Sequence, residues 1–285
     1  MRAARLRPLG GGRYAIAGGG ELILETGAVR LNGKPLAFHD FGAEVEAAIR
    51  NAVRADPVLL RQRALAATPP VETADKLPSD LVEVTSLEQG IKRDIRYASP
   101  NNFMGIPLYE RAAAYLQRPA ALALKRAQDA LAAQGYGLLI HDAYRPWFVT
   151  RMFWEATPPN ARMFVADPAK GSRHNRGCAV DLTLYDLKTG KVVDMPSRYD
   201  EFSGRAYADF VGGTTKQRAL RALLREAMVA AVDWYHQRLL TGADAGAARR
   251  YLRDRGFDGY VKTASTPPKQ PARNASTNRS SMVGK

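Results

Sequence analysis

Apolar and polar positions change their spacing several times along the chain, and each change predicts an element. Between residues 10 and 40, glycine clusters alternate with short runs such as Glu21-Leu22-Ile23-Leu24-Glu25, and Ala28-Val29-Arg30-Leu31 precedes Asn32-Gly33. Strand-like runs closed by that turn dipeptide predict a small β-meander. Val45, Ala48, Ile49, Ala52 and Val53 then recur at helical spacing, and Pro57 interrupts them before a second helical run to Ala67. Residues 1–67 are therefore expected to form a compact N-terminal appendage. Thr68 to Asp80, with Pro69, Pro70 and Pro78 among polar residues, reads as a linker.

Beyond the linker the spacing alternates between strand and helix. A strand pair is predicted around Leu81–Thr85 and Ile91–Tyr97, a helix from Pro119 to near Gly135, an apolar strand at Tyr136–Ile140 and a short helix after Pro146. A hairpin follows, with arms Ala179–Tyr185 and Lys191–Asp194 around Thr189-Gly190. Neither Gly nor Pro occurs from Lys216 to Leu240, where Leu220, Leu223, Leu224, Ala227, Ala231, Trp234, Tyr235 and Leu239 predict one long amphipathic helix. The fold class is α+β: a main domain over 81–240 with a small antiparallel sheet flanked by helices, then a helical extension over 241–262 with a shorter helix at Ala245–Asp254. Residues 263–285, rich in Ser, Thr, Pro, Asn and Lys/Arg, lack the apolar content to fold and are expected to be a disordered basic tail.

Composition narrows the function. With 285 residues, 46% hydrophobic and 25% charged, the chain has apolar mass for a sizeable core. No run approaches the roughly 18–20 apolar residues of a membrane span, and Met1 to Gly20 has no apolar h-region. The expected location is the cytoplasm in preference to the periplasm. One cysteine, Cys178, excludes an intrachain disulfide framework and a multi-cysteine zinc site, so any metal must rest on His, Asp and Glu. The net charge of +14 favours anionic partners in general. Part of that excess sits at the two ends and reads as solvated charge, so nucleic acid is not the expected partner.

The densest chemistry lies in Ser172-Arg173-His174-Asn175-Arg176-Gly177-Cys178-Ala179-Val180-Asp181, which sets an imidazole and a carboxylate seven positions apart across a glycine turn into a strand. Two readings of the pair are open on the residues alone: ligands converging on one ion, or a turn-capping His beside a strand-end acceptor. A catalytic zinc takes three protein ligands and keeps a fourth position for water, so a third ligand would have to come from elsewhere.

The pattern Ser-x-His-x-x-Gly-x-Ala-x-Asp, Ser172 to Asp181, resembles the zinc signature of the D-alanyl-D-alanine dipeptidases of the vancomycin-resistance type. Further landmarks follow that family's order: Asp94-Ile95-Arg96-Tyr97-Ala98 with Asn101-Asn102-Phe103, then Gly135-Tyr136-Gly137-Leu138-Leu139, Asp142-Ala143-Tyr144-Arg145-Pro146 and Ser197-Arg198-Tyr199-Asp200. The resemblance covers about Leu81 to Met228. It implies a zinc metallopeptidase with one Zn2+ per chain, acting on D-Ala-D-Ala or a similar small peptide in peptidoglycan precursor metabolism. By the same resemblance His174 and Asp181 are zinc ligands, Arg145 faces the tetrahedral oxyanion, Tyr97 and Asp200 hold the free amino group, and Ser172 adds a polar contact to substrate. An always-protonated guanidinium fork suits the oxyanion role.

In that family a Glu-x-x-His pair closes the site, the His as third ligand and the Glu as general base and acid. The candidate here is Asp233-Trp234-Tyr235-His236, which makes His236 the candidate third ligand and Asp233 the candidate base. Aspartate shortens the reach by one methylene. Only Val229 to Val232 separate Met228 from the pair, where the family inserts a glycine turn and a strand of about ten residues. The stretch Val232 to Leu240 with Ala248 to Gly256 also resembles the helical segment after the zinc-binding domain of bacterial DNA primases, in which this His and Asp bind no metal. Two functions follow from the choice: a dipeptidase whose turnover is reduced by its altered end, or a catalytically inactive derivative with a basic interaction module.

Other motifs are weaker. Gly10-Gly11-Gly12 and Gly18-Gly19-Gly20 lack the Lys-Ser/Thr of a phosphate loop and read as turns. His39-Asp40 and His141-Asp142 are adjacent pairs; His141 ends an apolar strand beside the arginine motif, where it either lines the cleft or, the preferred reading, has a structural role, and Cys178 is expected to be packed.

Overall fold

The computed structural model describes residues 6–26, 28–36, 42–71 and 78–241, without the side chains of 235, 236 and 238–241. Residues 1–232 form one compact unit and 233–285 a second. Strands β1 (Leu6–Gly10), β2 (Arg13–Ile16), β3 (Glu21–Glu25), β4 (Ala28–Leu31) and β5 (Lys34–Leu36) pair in sequence as an antiparallel meander. Asn32 and Gly33 take positive φ (50° and 78°), so the β4–β5 turn is the primed kind that this dipeptide favours. None of these strand residues is fully buried.

Helices α1 (Ala43–Ala55) and α2 (Pro57–Ala66) follow, separated at Asp56, whose carboxylate caps α2 by accepting from Leu59 N at 2.8 Å. Their buried residues Ile49, Val53 and Ala64 belong to a core cluster shared with Tyr97, Phe103, Met104, Leu108, Val149, Met152 and Phe153. The helical half of the expected appendage is thus packed into the body that carries the signature motifs.

Next come β6 (Leu81–Glu83), the single turn α3 (Val84–Leu87), β7 (Lys92–Arg93), β8 (Tyr115–Gln117), α4 (Arg118–Ala132), β9 (Tyr136–Asp142), α5 (Trp147–Ala156), β10 (Asp181–Asp186) and α6 (Thr215–Thr241). The class is α+β, as read from the sequence. The first predicted strand pair is corrected: β6 pairs with β8 and β7 runs parallel to β9, instead of the two pairing with each other. The Glu83 side chain accepts from Ser86 N at 2.8 Å and turns the chain out of β6 at once. The predicted hairpin keeps its first arm as β10, which pairs antiparallel with β9, whereas its second arm contributes the single bridge Tyr185↔Val192. Leu138, Ile140 and Leu184 of this sheet, Leu124, Ala127 and Leu131 of α4, and Leu220, Ala227 and Ala231 of α6 form the other core cluster. Gln128 joins α4 to β9 by accepting from Leu138 N at 2.8 Å.

Candidate metal centre and substrate cleft

The site begins where the sheet ends. Along β9 and β10, Leu182 faces Ile140 while Asp181 faces Asp142, so His141 is an extra residue on β9. A bulge of this kind bends the strand and re-aims its side chains, here two carboxylates at one end of the sheet. Beyond β9 the backbone is fixed by Tyr144 N→Tyr115 O (2.8 Å) and Arg145 N→His174 O (3.1 Å). Residues His174–Arg176 make one 3-10 turn that ends at Gly177 with φ 66°. The turn demands glycine, and a Cβ there would also lie 2.5 Å from Leu81 Cδ2 and displace that side chain. Asn175 Nδ2 donates to Arg145 O and to Thr150 Oγ1, both at 2.9 Å, and locks the signature loop to the arginine motif and α5.

These elements bring His174, Asp181 and Asp142 together, each offering a donor atom within 4.8 Å of the others. His174 Nδ1 lies 2.8 Å from Ala143 O and so carries a proton, which leaves Nε2 as the nitrogen that faces Asp181 and can bind an ion once its own proton has gone. Nε2 is 3.4 Å from Asp181 Oδ1. Two donors each about 2.1 Å from a tetrahedral ion stand about 3.4 Å apart, so the pair matches one edge of a zinc coordination sphere. Asp142 is differently occupied. Its Oδ1 accepts from Tyr109 Oη at 2.7 Å and its Oδ2 from Arg145 Nε at 2.9 Å, while its contact with the imidazole, 3.5 Å, is on the Nδ1 side. Asp142 is therefore the anchor of Arg145 and a poor third ligand.

Arg145 is 8% exposed, with its guanidinium carbon 4.8 Å from the Phe153 ring centroid and 5.3 Å from that of Tyr97. Its Nη2 lies 2.8 Å from Asp142 Oδ2 and 3.3 Å from Asp181 Oδ2. One edge of the fork is thus taken by carboxylates, which leaves Nη1 for a ligand. Tyr199 Oη also donates to Asp181 Oδ2, at 3.4 Å. Burial pushes the Asp142 carboxyl up despite Arg145. Burial acts the same way on Asp181, but the His174 hydrogen bond and the His174 and Arg145 charges outweigh it and hold that carboxyl below its ordinary value. His174 is buried too, which lowers its affinity for a proton, yet Asp181 raises it above that of a free imidazole. The pair is poised to exchange a proton for a cation.

In the same cleft Tyr97 Oη donates to Asp200 Oδ2 at 2.6 Å. Asp200 takes φ 53°, a strained conformation for a non-glycine residue that is kept by its surroundings. Burial and the nearby Asp181 raise its carboxyl to about 7. Burial, then Asp200, drive the Tyr97 phenol well above its ordinary value. Both groups line a cleft of about 1100 Å³ with His174, Asp181, Arg145 and Ser172. The Ser172 hydroxyl accepts from His174 N at 3.2 Å, which gives it a turn-capping role.

Six of the candidate residues, Tyr97, Arg145, Ser172, His174, Asp181 and Asp200, thus line one cleft. The other two belong to the second unit: Asp233 is exposed near the end of α6, and the side chain of His236 lies outside the described residues. The expected helix at 245–254, the tail 263–285 and the His39-Asp40 pair lie there as well. Cys178 is corrected from packed to exposed, because β10 starts only at Asp181 and the thiol sits in the turn before it. Burial still pushes that thiol up, away from nucleophilic character. His141 is 5% exposed and faces the Tyr199 ring at 4.7 Å; burial lowers its pKa and keeps it neutral. Sequence reasoning missed Asp142, Tyr109 and Tyr199 as parts of the site. Asp142 and Tyr199 stand inside quoted motifs, whereas Tyr109 carries no local signal.

A sequence model of Peptidase_M15, described as D-ala-D-ala dipeptidase, matches residues 78–253. The D-alanyl-D-alanine dipeptidase of Escherichia coli is 30% identical over 164 residues, which cover 55% of this chain and 83% of that protein. Those of Enterococcus faecalis and Streptomyces coelicolor are each 34% identical, over 53% and 57% of this chain and 87% and 93% of theirs. The family match runs on to residue 253, past Asp233 and His236.

Proposed function

Because the chain belongs to the Peptidase_M15 family of D-Ala-D-Ala dipeptidases, we propose that it is a zinc-dependent peptidase that hydrolyses D-alanyl-D-alanine. The observation that carries this reading is the 3.4 Å separation of His174 Nε2 from Asp181 Oδ1, with Nδ1 turned to a backbone carbonyl. His174 and Asp181 would hold the ion, and the family resemblance assigns the third ligand to His236. The bound zinc would acidify a water molecule and polarise the scissile carbonyl.

The chain's own residues do the rest. Asp200, with Tyr97, receives the ammonium group of the dipeptide and so measures its length. Arg145, held by Asp142, directs Nη1 at the carbonyl oxygen and stabilises the charge that develops there as water adds to the carbon. By the same resemblance Asp233 would be the group that takes a proton from the attacking water and returns it to the leaving amine as the C–N bond breaks. Aspartate in place of the longer glutamate predicts slow turnover, since a general base must come within about 3 Å of the proton it moves.

Metal analysis and D-Ala-D-Ala turnover of the wild type beside His174→Ala, Asp181→Ala and His236→Ala test the reading. Zinc near one equivalent, lost in each variant together with turnover, supports it. Zinc that survives in His174→Ala overturns the metal assignment. Stoichiometric zinc with no turnover identifies the inactive derivative instead.

A further inference from the structure

Helix α1 lies outside the family match, which begins at residue 78, yet it touches both halves of the cleft. Its Glu46 and Arg50 stand in the cleft wall. Arg50 Nη2 donates to Asn102 O at 2.9 Å and is held by Glu46 Oε1 at 2.7 Å. Asn102 organises the loop that carries Tyr97: its amide donates to Ser99 O at 2.6 Å and Ile106 O at 2.9 Å, and its Oδ1 accepts from Met104 N at 2.9 Å. Tyr97 O in turn accepts from Leu108 N and Tyr109 N, at 2.7 and 3.0 Å. Gly105 of the same loop packs on the Arg50 stem, where a Cβ would lie 3.6 Å from Arg50 Cγ.

The first turn of α1 reaches the loop that carries Asp200. Gly42, the N-cap with φ 84°, passes so close to Phe202 that a Cβ on it would lie 2.9 Å from Phe202 N, two residues past Asp200. The Phe202 ring meets Phe103 edge-to-face at 5.1 Å, Phe103 is 6.2 Å from Tyr97, and Ile49 and Val53 of α1 belong to the same cluster. One helix thus contacts the Tyr97 loop at its middle and the Asp200 loop at its start.

Resting on the dipeptidase reading above, we infer that α1 is a positioning element of the substrate site: it clamps the two loops so that Tyr97 and Asp200 meet around the substrate's amino group. Arg50 and Gly42 are its positioning residues. An element outside the matched domain thereby controls recognition of the peptide's free end. The metal end is tied instead through Ala143, Asn175 and Asp142.

Arg50→Ala, Arg50→Lys and Gly42→Ala in the full chain, followed by amide hydrogen exchange, KM for D-Ala-D-Ala and zinc affinity, test the inference. Arg50→Ala should speed exchange at Gly105, Leu108 and Tyr109 and raise KM, each about tenfold as expected for one charged hydrogen bond, with kcat and zinc affinity unchanged. Arg50→Lys, which can still donate to Asn102 O, should recover most of both. Gly42→Ala should raise KM while speeding exchange around residues 198–204, and it carries the test if Arg50→Ala does not fold. Unchanged exchange in both variants overturns the inference. So does faster exchange at constant KM, or a loss of zinc affinity equal to the rise in KM. If the wild type does not hydrolyse D-Ala-D-Ala, the functional reading fails, and the exchange pattern alone decides whether α1 positions the loops.

Discussion

At the proposed metal end of the cleft, Arg145, three residues past the end of β9, and Asp181, at the start of the neighbouring strand β10, are 36 residues apart, whereas at the proposed amino end Tyr97 and Asp200 are 103 residues apart and meet across two loops. The metal end is held by backbone: a β-bulge, a 3-10 turn stopped by Gly177, and carbonyl contacts to His174 and Asn175. The amino end depends on aromatic packing and on a helix from outside the matched domain. Damage to the first should therefore abolish chemistry, and damage to the second should weaken recognition.

The largest expected effect is at the metal end. His174→Ala should remove zinc and turnover together while leaving the melting transition cooperative, because the imidazole makes few core contacts. A chelator titration read by metal analysis checks this. Zinc retained at wild-type affinity would show that the two ends are not divided as described.

Arg145→Lys should come next. A point charge cannot keep both Asp142 and Asp181 and still present Nη1, so kcat should fall by about 10²–10³ with KM little changed. A large rise in KM at near-normal kcat would move Arg145 into ground-state recognition and blur the comparison.

Asp200→Asn tests the opposite end and should raise KM by about 10–100-fold, the loss of one charge-assisted contact, with zinc content intact. The wild-type carboxyl, buried and facing Asp181, Tyr97, Arg145 and Asp142, is raised to about 7. Ionisation thus grows as pH rises through about 7, and kcat/KM should rise with it until the dipeptide amine loses its proton near pH 8. Linkage has the opposite sign for stability. A folded-state value above the ordinary 3.8 means that the folded protein binds this proton more tightly, so stability falls as pH rises from about 4 to about 7. Both dependences should flatten in Asp200→Asn.

The smallest effect is expected far from either end. Leu24→Ser in the meander, at a side chain 44% exposed, should change stability by no more than about 0.5 kcal/mol and leave kcat and KM alone. Denaturant unfolding checks it, and a larger loss would mean that this sheet face is covered.

Much of this protein was legible without coordinates because the relevant physics is local. Asn32-Gly33 specified a turn through its tolerance of positive φ, the absence of Gly and Pro across 216–240 specified α6, and the likeness of the short motifs around His174, Asp181 and Arg145 to those of a known family pointed to those three residues. Non-local choices were decided only by the tertiary structure. Strand partners depend on which edge is free once the helices have packed, so β6 found β8 and β7 found β9. Asp142 and Tyr109 entered the site because a buried guanidinium must have its charge and donors met, a demand that neither residue's neighbours in sequence reveal. The role of α1 was hidden for the same reason: its periodicity marked an apolar face, while the loops that face would hold lie 50 to 160 residues further along the chain and are brought to it only by the packing of the whole core.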